Sequence, residues 1–374
     1  MVPVSRPYFD EKEREYVEDC IRTGWISSAG RYVRDFEDRF AAFTGSREAV
    51  SACNGTTALH LAILAAGVGP GDEVIVPSFT FAATANAVRH AGAEPVLADV
   101  DAKTWTLDVD CAARAVTPKT KAVIPVHIYG HPADMDPILE LADRNGLAVI
   151  EDAAEAHGAR YKGRPVGSIG ELGVFSFYGN KIVTTGEGGM IVTGDADLAD
   201  RMRRLRDHGM TATRRYWHPE LGYNYRMTNL QAAVGLAQME KVDFFIRERE
   251  KIGRAYTAGL RGIQGIDLPP RAAWADPVCW QYTIRVTAEA NRTRDDLAQF
   301  LSDSGIETRP AFIPMHEQPI YHSHVDLPVS TELGATGLSL PTWVGLPHAS
   351  IERIVELISR TGRVAGPEHQ EEHH

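Results

Sequence analysis

Lys181 stands within FSFYGNKIVTTGEGGMIVT, residues 175–193, between two apolar runs that read as buried strands. A solvated hairpin tip is the ordinary expectation for a lysine. Held dry, the same amine would give up its proton readily, because desolvation disfavours the charged form, and a neutral amine can condense with an aldehyde as a Schiff base. Other chemically capable groups occupy comparable positions. Glu151-Asp152 close the run GLAVI, and Ser176 closes GVFSF. Ser78-Phe79-Thr80-Phe81 follow the run ending at Pro77, and Asn54-Gly55-Thr56-Thr57 precede an apolar, helix-like segment. Singly, each has a plainer role: Asn54 or Thr56 as a helix cap, Asp152 as a cap or an arginine's partner, Phe81 as core, Ser176 as one serine among many.

Together these residues describe one ligand. A helix start carrying Gly55, Thr56 and Thr57 offers N–H groups, hydroxyls and the positive end of a dipole, which suits a phosphate. An aspartate at the end of a buried strand can hold a protonated ring nitrogen, and Phe81 can cover a flat heterocycle. Lys181 supplies the amine for an aldehyde. Phosphate, pyridine nitrogen, ring face and aldehyde are the four handles of pyridoxal 5′-phosphate (PLP).

Such a site needs a scaffold that gathers strand ends. The runs at 73–79, 94–100, 121–130, 146–152, 173–179 and 189–195 read as strands, and TTALHLAILAAG (56–67) and DMDPILELADRNG (134–146) as helices, the second closed by Asn145-Gly146. Near-continuous Val/Ile runs separated by helices predict an α/β domain with a parallel sheet covered on both faces, whose ligands bind beyond the carboxyl ends of the strands. The capping box Thr228-x-x-Gln231 predicts one long helix running to about Gly259. That helix would join a large domain, residues 1–250, to a smaller C-terminal α+β domain, residues 251–366, with the first 30 residues free to pack against the smaller one. The smaller domain would hold a strand at 279–286, a helix from Thr293 closed by Gly305, and a last helix after Ser350 ending at Gly362. The tail 367–374 is expected to be disordered, and its histidines carry no expected catalytic role.

Composition narrows the function further. The 374 residues carry a net charge of −11, which argues against nucleic acid or an anionic membrane as partner. Cys20, Cys53, Cys111 and Cys279 show no paired spacing, as expected of reduced thiols in the cytoplasm. His127 and His131 stand four apart, but Gly130 and Pro132 break any helix that would join them on a metal, so no metal is expected. GVGPGDE (67–73) follows a helix and precedes a strand, the reverse of a dinucleotide fingerprint. The N-terminus lacks the basic flank and apolar core of a signal peptide, and no apolar run approaches a membrane span.

NGTTALHLAILAAGVGPGDEVIVPSFTFAATANAV, GLAVIEDAAEAHGARYKGRPVGSIG and FSFYGNKIVTTGEGGM resemble the DegT/DnrJ/EryC1/StrS family of sugar aminotransferases. The similarity runs from GWISSAGRYVRDFE (24–37) to LSLPTWVGL (338–346). It implies a PLP-dependent transferase of fold type I: a large domain with a mostly parallel seven-stranded sheet and a smaller C-terminal domain. By position, Lys181 would be the Schiff-base lysine and Asp152 the partner of the pyridine nitrogen. Gly55, Thr56 and Ser176 would hold the phosphate, and Phe81 would stack on the ring. Glu155 stands where many relatives have glutamine, near the cofactor's phenolic oxygen. Asn224 in GYNYRM would reach the phosphate of a neighbouring subunit, which makes the implied assembly a homodimer with shared active sites. Trp25, Ser27, Ser28, Arg309 and His316 lie in segments that contact the nucleotide sugar in relatives. The implied donor is L-glutamate and the implied acceptor a nucleotide-linked keto-deoxy sugar, foremost GDP-4-keto-6-deoxymannose. Another 3- or 4-keto sugar or a keto-cyclitol is the alternative, and a non-catalytic regulator retaining the fold is the alternative of a different class. Lys181 speaks against a sugar 3-dehydratase, which would carry histidine there.

Overall fold

The Val- and Ile-rich runs form a seven-stranded sheet in the computed structural model, which describes residues 1–321 and 325–360. Its strands are β1 (Glu48–Ala52), β2 (Glu73–Pro77), β3 (Glu94–Ala98), β4 (Thr120–Val123), β5 (Ala148–Asp152), β6 (Leu172–Ser176) and β7 (Gly189–Thr193). The order across the sheet is β1-β7-β6-β5-β4-β2-β3, and β7 alone runs against the rest. The predicted mostly parallel sheet is therefore present. The expected end of the last helix at Gly362 and the tail 367–374 lie outside the described residues.

Three expectations are corrected. The strand β1 is absent from the predicted set, because EAVSA is short and carries a serine inward. Ser51 is wholly buried, its N–H and hydroxyl both donating to Glu37 Oε1 (2.8 and 2.7 Å). The run at 121–130 is strand only as far as Val123. Beyond Pro125 the chain turns through Ile128–Gly130, with Tyr129 in the left-handed region at φ 50°. The helix opened by Thr228 is two helices, Asn229–Met239 and Val242–Leu260. The break at Lys241 has a tertiary cause, since its ammonium is drawn to Asp10 (2.8 Å) and Glu13 (2.7 Å) of the N-terminal segment.

The helix Gly55–Ala65 is apolar all round and fills one face of the sheet with Leu59, Leu61 and Ile63. Phe36 and Phe40 of the helix Arg31–Thr44 pack against Phe175 and Phe177 within the second core, on the other face. The C-terminal part builds its own antiparallel sheet from β8 (Ile266–Asp267), β9 (Tyr282–Val286), β10 (Arg309–Pro310) and β11 (Gly337–Leu340) in the order β8-β9-β11-β10. Its core includes Tyr256, Leu260, Ile284, Leu297 and Ile354. The helix Arg294–Asp303 is followed by Gly305 at φ 77°, as its sequence predicted. The first residues of the N-terminal segment touch this part of the chain: Val2 bridges Ile306, and Trp343 donates its indole N–H to Pro3 O at 3.1 Å.

Two buried polar ties hold the C-terminal part against the sheet. Ser78 Oγ and His316 Nδ1 lie 2.6 Å apart, and Asp99 accepts the N–H and hydroxyl of Ser330 at 2.8 and 2.6 Å. Among the described residues no helix is long and apolar enough to cross a membrane.

Candidate active site

The carboxyl ends of β1, β2, β5 and β6 open on one cleft of about 870 Å³, closed from the opposite side by Trp280, Arg309 and Phe312. At its base, Asn54 caps the helix Gly55–Ala65. Its Oδ1 accepts Thr57 N at 2.9 Å, while the Thr57 hydroxyl accepts Asn54 N at 3.2 Å. This reciprocal cap engages Thr57 and leaves the Gly55 and Thr56 N–H groups for a ligand. A Cβ on Gly55 would stand 2.9 Å from Ser176 Cβ, so glycine there is what lets the helix start and the β6 end face one shared anion.

Asp152 ends β5 and is buried. Its Oδ2 accepts Thr84 Oγ1 (2.8 Å) and its Oδ1 accepts Ala154 N (3.1 Å). Burial pushes its carboxyl above the ordinary aspartate range, against the pull of Thr84, Ala154 and the Lys181 charge. The preceding residue has the opposite fate. Glu151 turns away from the cleft and accepts Gly167 N, Ile169 N and Gly170 N, each at 2.7 Å, and pairs with His127 Nε2 at 2.9 Å.

Lys181 lies in the connection from β6 to β7, but it is no solvated tip. Its side chain is only 11% exposed. Burial lowers its pKa below the usual lysine range, while Glu155, with Oε1 3.5 Å from Nζ, and Asp152 draw it back up. Glu155 Oε2 accepts the backbone N–H of Tyr129 at 2.8 Å. Phe81 is 58% exposed on the cleft wall, its ring 5.7 Å from that of Phe312.

Burial raises the Glu155 carboxyl from 4.5 to about 7. A carboxyl that binds its proton more tightly folded than unfolded adds stability that is full below about pH 4.5 and is lost as the pH rises through about 7. Glu155→Gln removes that loss. In the protein without cofactor, the unfolding free energy of the variant minus that of wild type should grow by about 2 kcal/mol between about pH 5 and about pH 8. Denaturant titrations at the two pH values read it, and a difference that stays flat means the carboxyl is charged throughout.

Of the residues predicted from sequence, Gly55, Thr56, Thr57, Phe81, Asp152, Glu155, Ser176, Lys181 and Arg309 line this cleft. Others lie elsewhere. His316 is buried behind the wall, bonded to Ser78 and, through Nε2, to Thr331 at 3.1 Å. Trp25 and Ser28 border a separate depression beside Arg31 and Tyr32, and Ser27 uses its carbonyl to accept Asn229 N at 2.7 Å. Asn224 is exposed, accepting from Arg226 at 2.9 Å, while its neighbours Tyr223 and Tyr225 line the cleft. Tyr129, Trp280, Phe312 and Thr84 also line it and were not singled out. Only Tyr129 leaves a local trace, the broken pattern VHIYGHP; Trp280 reaches the cleft from a segment distant in sequence.

The donor set fits PLP: two N–H groups and the Ser176 hydroxyl beside a glycine-tightened cradle, a buried carboxylate, and a dry amine in one cleft. This fold and this cleft define a PLP-dependent aminotransferase of fold type I. The chain belongs to the DegT/DnrJ/EryC1/StrS aminotransferase family, whose model matches residues 7–359. It is 50% identical over 363 residues to GDP-perosamine synthase of Caulobacter vibrioides, covering 96% of this chain and 98% of that one. Among solved structures, S. venezuelae DesV superposes with a TM-score of 0.90 at 36% identity, covering 97% of this chain and 100% of DesV. The PLP form of the putative sugar aminotransferase Spr1654 from Streptococcus pneumoniae gives a TM-score of 0.91 at 28% identity over 96% and 98% of the two chains.

Proposed function

We propose that the protein moves an amino group from L-glutamate to a nucleotide-linked keto-deoxy sugar, with GDP-4-keto-6-deoxymannose as acceptor and GDP-perosamine as product. The chemistry rests on one observation: the Lys181 amine, on a side chain largely withdrawn from water, shares a cleft with Asp152 and the Gly55–Ser176 cradle. The choice of sugar rests on the 50% identity to a GDP-perosamine synthase over nearly the whole chain.

When bound, PLP supplies an aldehyde that condenses with amines and a pyridine ring that accepts electrons. The chain's own residues do the rest. Gly55 and Thr56 donate N–H groups to the phosphate, with the Thr56 and Ser176 hydroxyls beside them. Asp152, steadied by Thr84 and Ala154, accepts the ring N–H, and Phe81 covers the ring face. Lys181 Nζ would hold the cofactor's aldehyde carbon and, as a free amine, would take the proton from the donor's Cα, a task suited to an amine whose pKa burial has lowered. Arg309 forms no ion pair among the described residues and brings a fixed positive charge to the wall, which suits a donor carboxylate or a nucleotide phosphate.

A homodimer completes this reading. Asn224 is turned out of its own cleft, and the same segment exposes Tyr216, Trp217 and Leu221, an apolar set that a second copy would cover. We further propose a cytoplasmic enzyme whose two domains divide near residue 250, inside the helix Val242–Leu260. A panel of nucleotide-linked 4-keto and 3-keto sugars, incubated with L-glutamate while 2-oxoglutarate is followed, tests the substrate. GDP-4-keto-6-deoxymannose should turn over fastest. A faster partner overturns the choice of sugar, and no release with any keto sugar overturns the activity.

A further inference from the structure

Four aromatic rings of the cleft lining run from exposed Phe81 to buried Trp280. Phe81 meets Phe312, and Phe312 lies parallel to Tyr129 within 7° at 5.3 Å. Tyr129 lies parallel to Trp280 within 14° at 6.0 Å. The series ends at the lysine, whose Nζ stands 3.8 Å from the centroid of the Trp280 ring. On another side of the same nitrogen is Glu155 Oε1 at 3.5 Å.

Both supports are themselves fixed. Trp280 is 3% exposed, and its indole N–H donates to the carbonyl of Asn180, the residue before the lysine, at 2.9 Å. Its own carbonyl accepts Arg249 Nη1 at 2.8 Å. Glu155 is tied to the backbone of Tyr129, in the left-handed conformation that sets the Tyr129 ring between Phe312 and Trp280. An indole face attracts a cation most strongly where water is excluded. The reaction read above requires such a cation, because Lys181 must become an ammonium in a buried site between taking a proton and returning it.

The geometry points to Trp280 as a positioning residue: its indole face, with the Glu155 carboxylate, seats the Lys181 ammonium while the amine holds the substrate's proton. This rests on the aminotransferase reading. The other charged or titratable groups around the amine are Asp152, which favours the ammonium, Arg309, which opposes it, and His157, whose own protonation Lys181 disfavours. His157 is caged by Phe40, Phe175 and Phe177 and its pKa falls to about 3, so it stays neutral over the working range. Tyr129 keeps its phenol protonated through burial.

The test is trace acetylation of the full-length protein without cofactor across a pH series, with modification of residue 181 quantified by mass spectrometry, for wild type, Trp280→Leu and Trp280→Phe. Loss of the aromatic face should lower the labelling midpoint of W280L by about one pH unit, a tenfold change in the ammonium equilibrium, with W280F in between. In the holoenzyme, the acid limb of the pH profile for the L-glutamate half-reaction should move with it. A purely packing role predicts lower stability with unmoved midpoints. Folded W280L that labels like wild type overturns the proposal. If W280L does not fold, W280F at the wild-type midpoint overturns it. Failure of the aminotransferase reading is seen separately, as wild-type protein that forms no borohydride-reducible link with PLP.

Discussion

Lys181→Ala should abolish turnover, by about four orders of magnitude or more, while leaving the protein folded. The size follows from the two tasks the reading gives to one nitrogen, covalent anchor and proton carrier, for which no other group is placed. Glu155 is the nearest titratable neighbour, but it is tied to Tyr129 N and reaches Nζ only at 3.5 Å. Removing the side chain also removes a buried charge that desolvation disfavours, so stability should fall little. The measurement has two parts. Wild type loaded with PLP should show a visible band that L-glutamate bleaches, and borohydride should fix the cofactor on residue 181. The variant should bind PLP through the cradle alone, with nothing for borohydride to fix. Appreciable turnover by the alanine variant, or reduction elsewhere in the chain, would remove Lys181 from the mechanism.

Asp152→Asn should cost two to three orders of magnitude in turnover while leaving the fold intact or firmer. Asparagine keeps the size, its amide oxygen can still accept Ala154 N–H and its NH2 can donate to the Thr84 hydroxyl, but it cannot offer a full negative charge to a protonated ring nitrogen. Losing one partner of a buried pair costs about 3–4 kcal/mol, hence about 10²–10³ in rate. Stability should respond with the opposite sign. Burial raises the Asp152 pKa, so the folded chain holds its proton longer than the unfolded one, and the stability this confers at low pH is lost as the pH rises through the folded value. Above the ordinary aspartate range the buried carboxyl is therefore a burden on the protein without cofactor, and D152N lifts it. Kinetics and thermal melts on the same preparation separate the two effects. Equal turnover in D152N and wild type would leave the buried carboxylate without its assigned role.

The parts of the cleft legible in the sequence were those whose chemistry is carried by residue type at a strand end or helix start. Asp152 and Ser176 announce themselves because β5 and β6 deliver them to the same edge, the Asn54–Thr57 turn because it opens an apolar helix, and the sheet's alternation of apolar runs with helices was plain. Lys181 was legible because a lysine between buried strands calls for a reason. What stayed hidden depends on remote partners. The serine in β1 reads as polar until Glu37 and Arg206 are seen to satisfy it. The break at Lys241 needs Asp10 and Glu13, more than two hundred residues earlier. Trp280 belongs to no local pattern, and His316 looks like a ligand in sequence but serves as a bolt between two parts of the chain.

Glu151 and Asp152 are chemically near twins, yet β5 points one into a nest of backbone N–H groups and the other into the cleft. Pairing of Glu151 with Gly173 and of Asp152 with Val174 fixes which is which. A strand's two faces exchange on a slip of a single residue. Insertion or deletion within the loop ahead of β5 therefore threatens more than packing: a slip one way would bring the longer acid to the cofactor, and a slip the other way would leave the shorter one where four donors wait for a side chain that can reach them. Any redesign of this enzyme's acceptor range should leave the length of that loop alone.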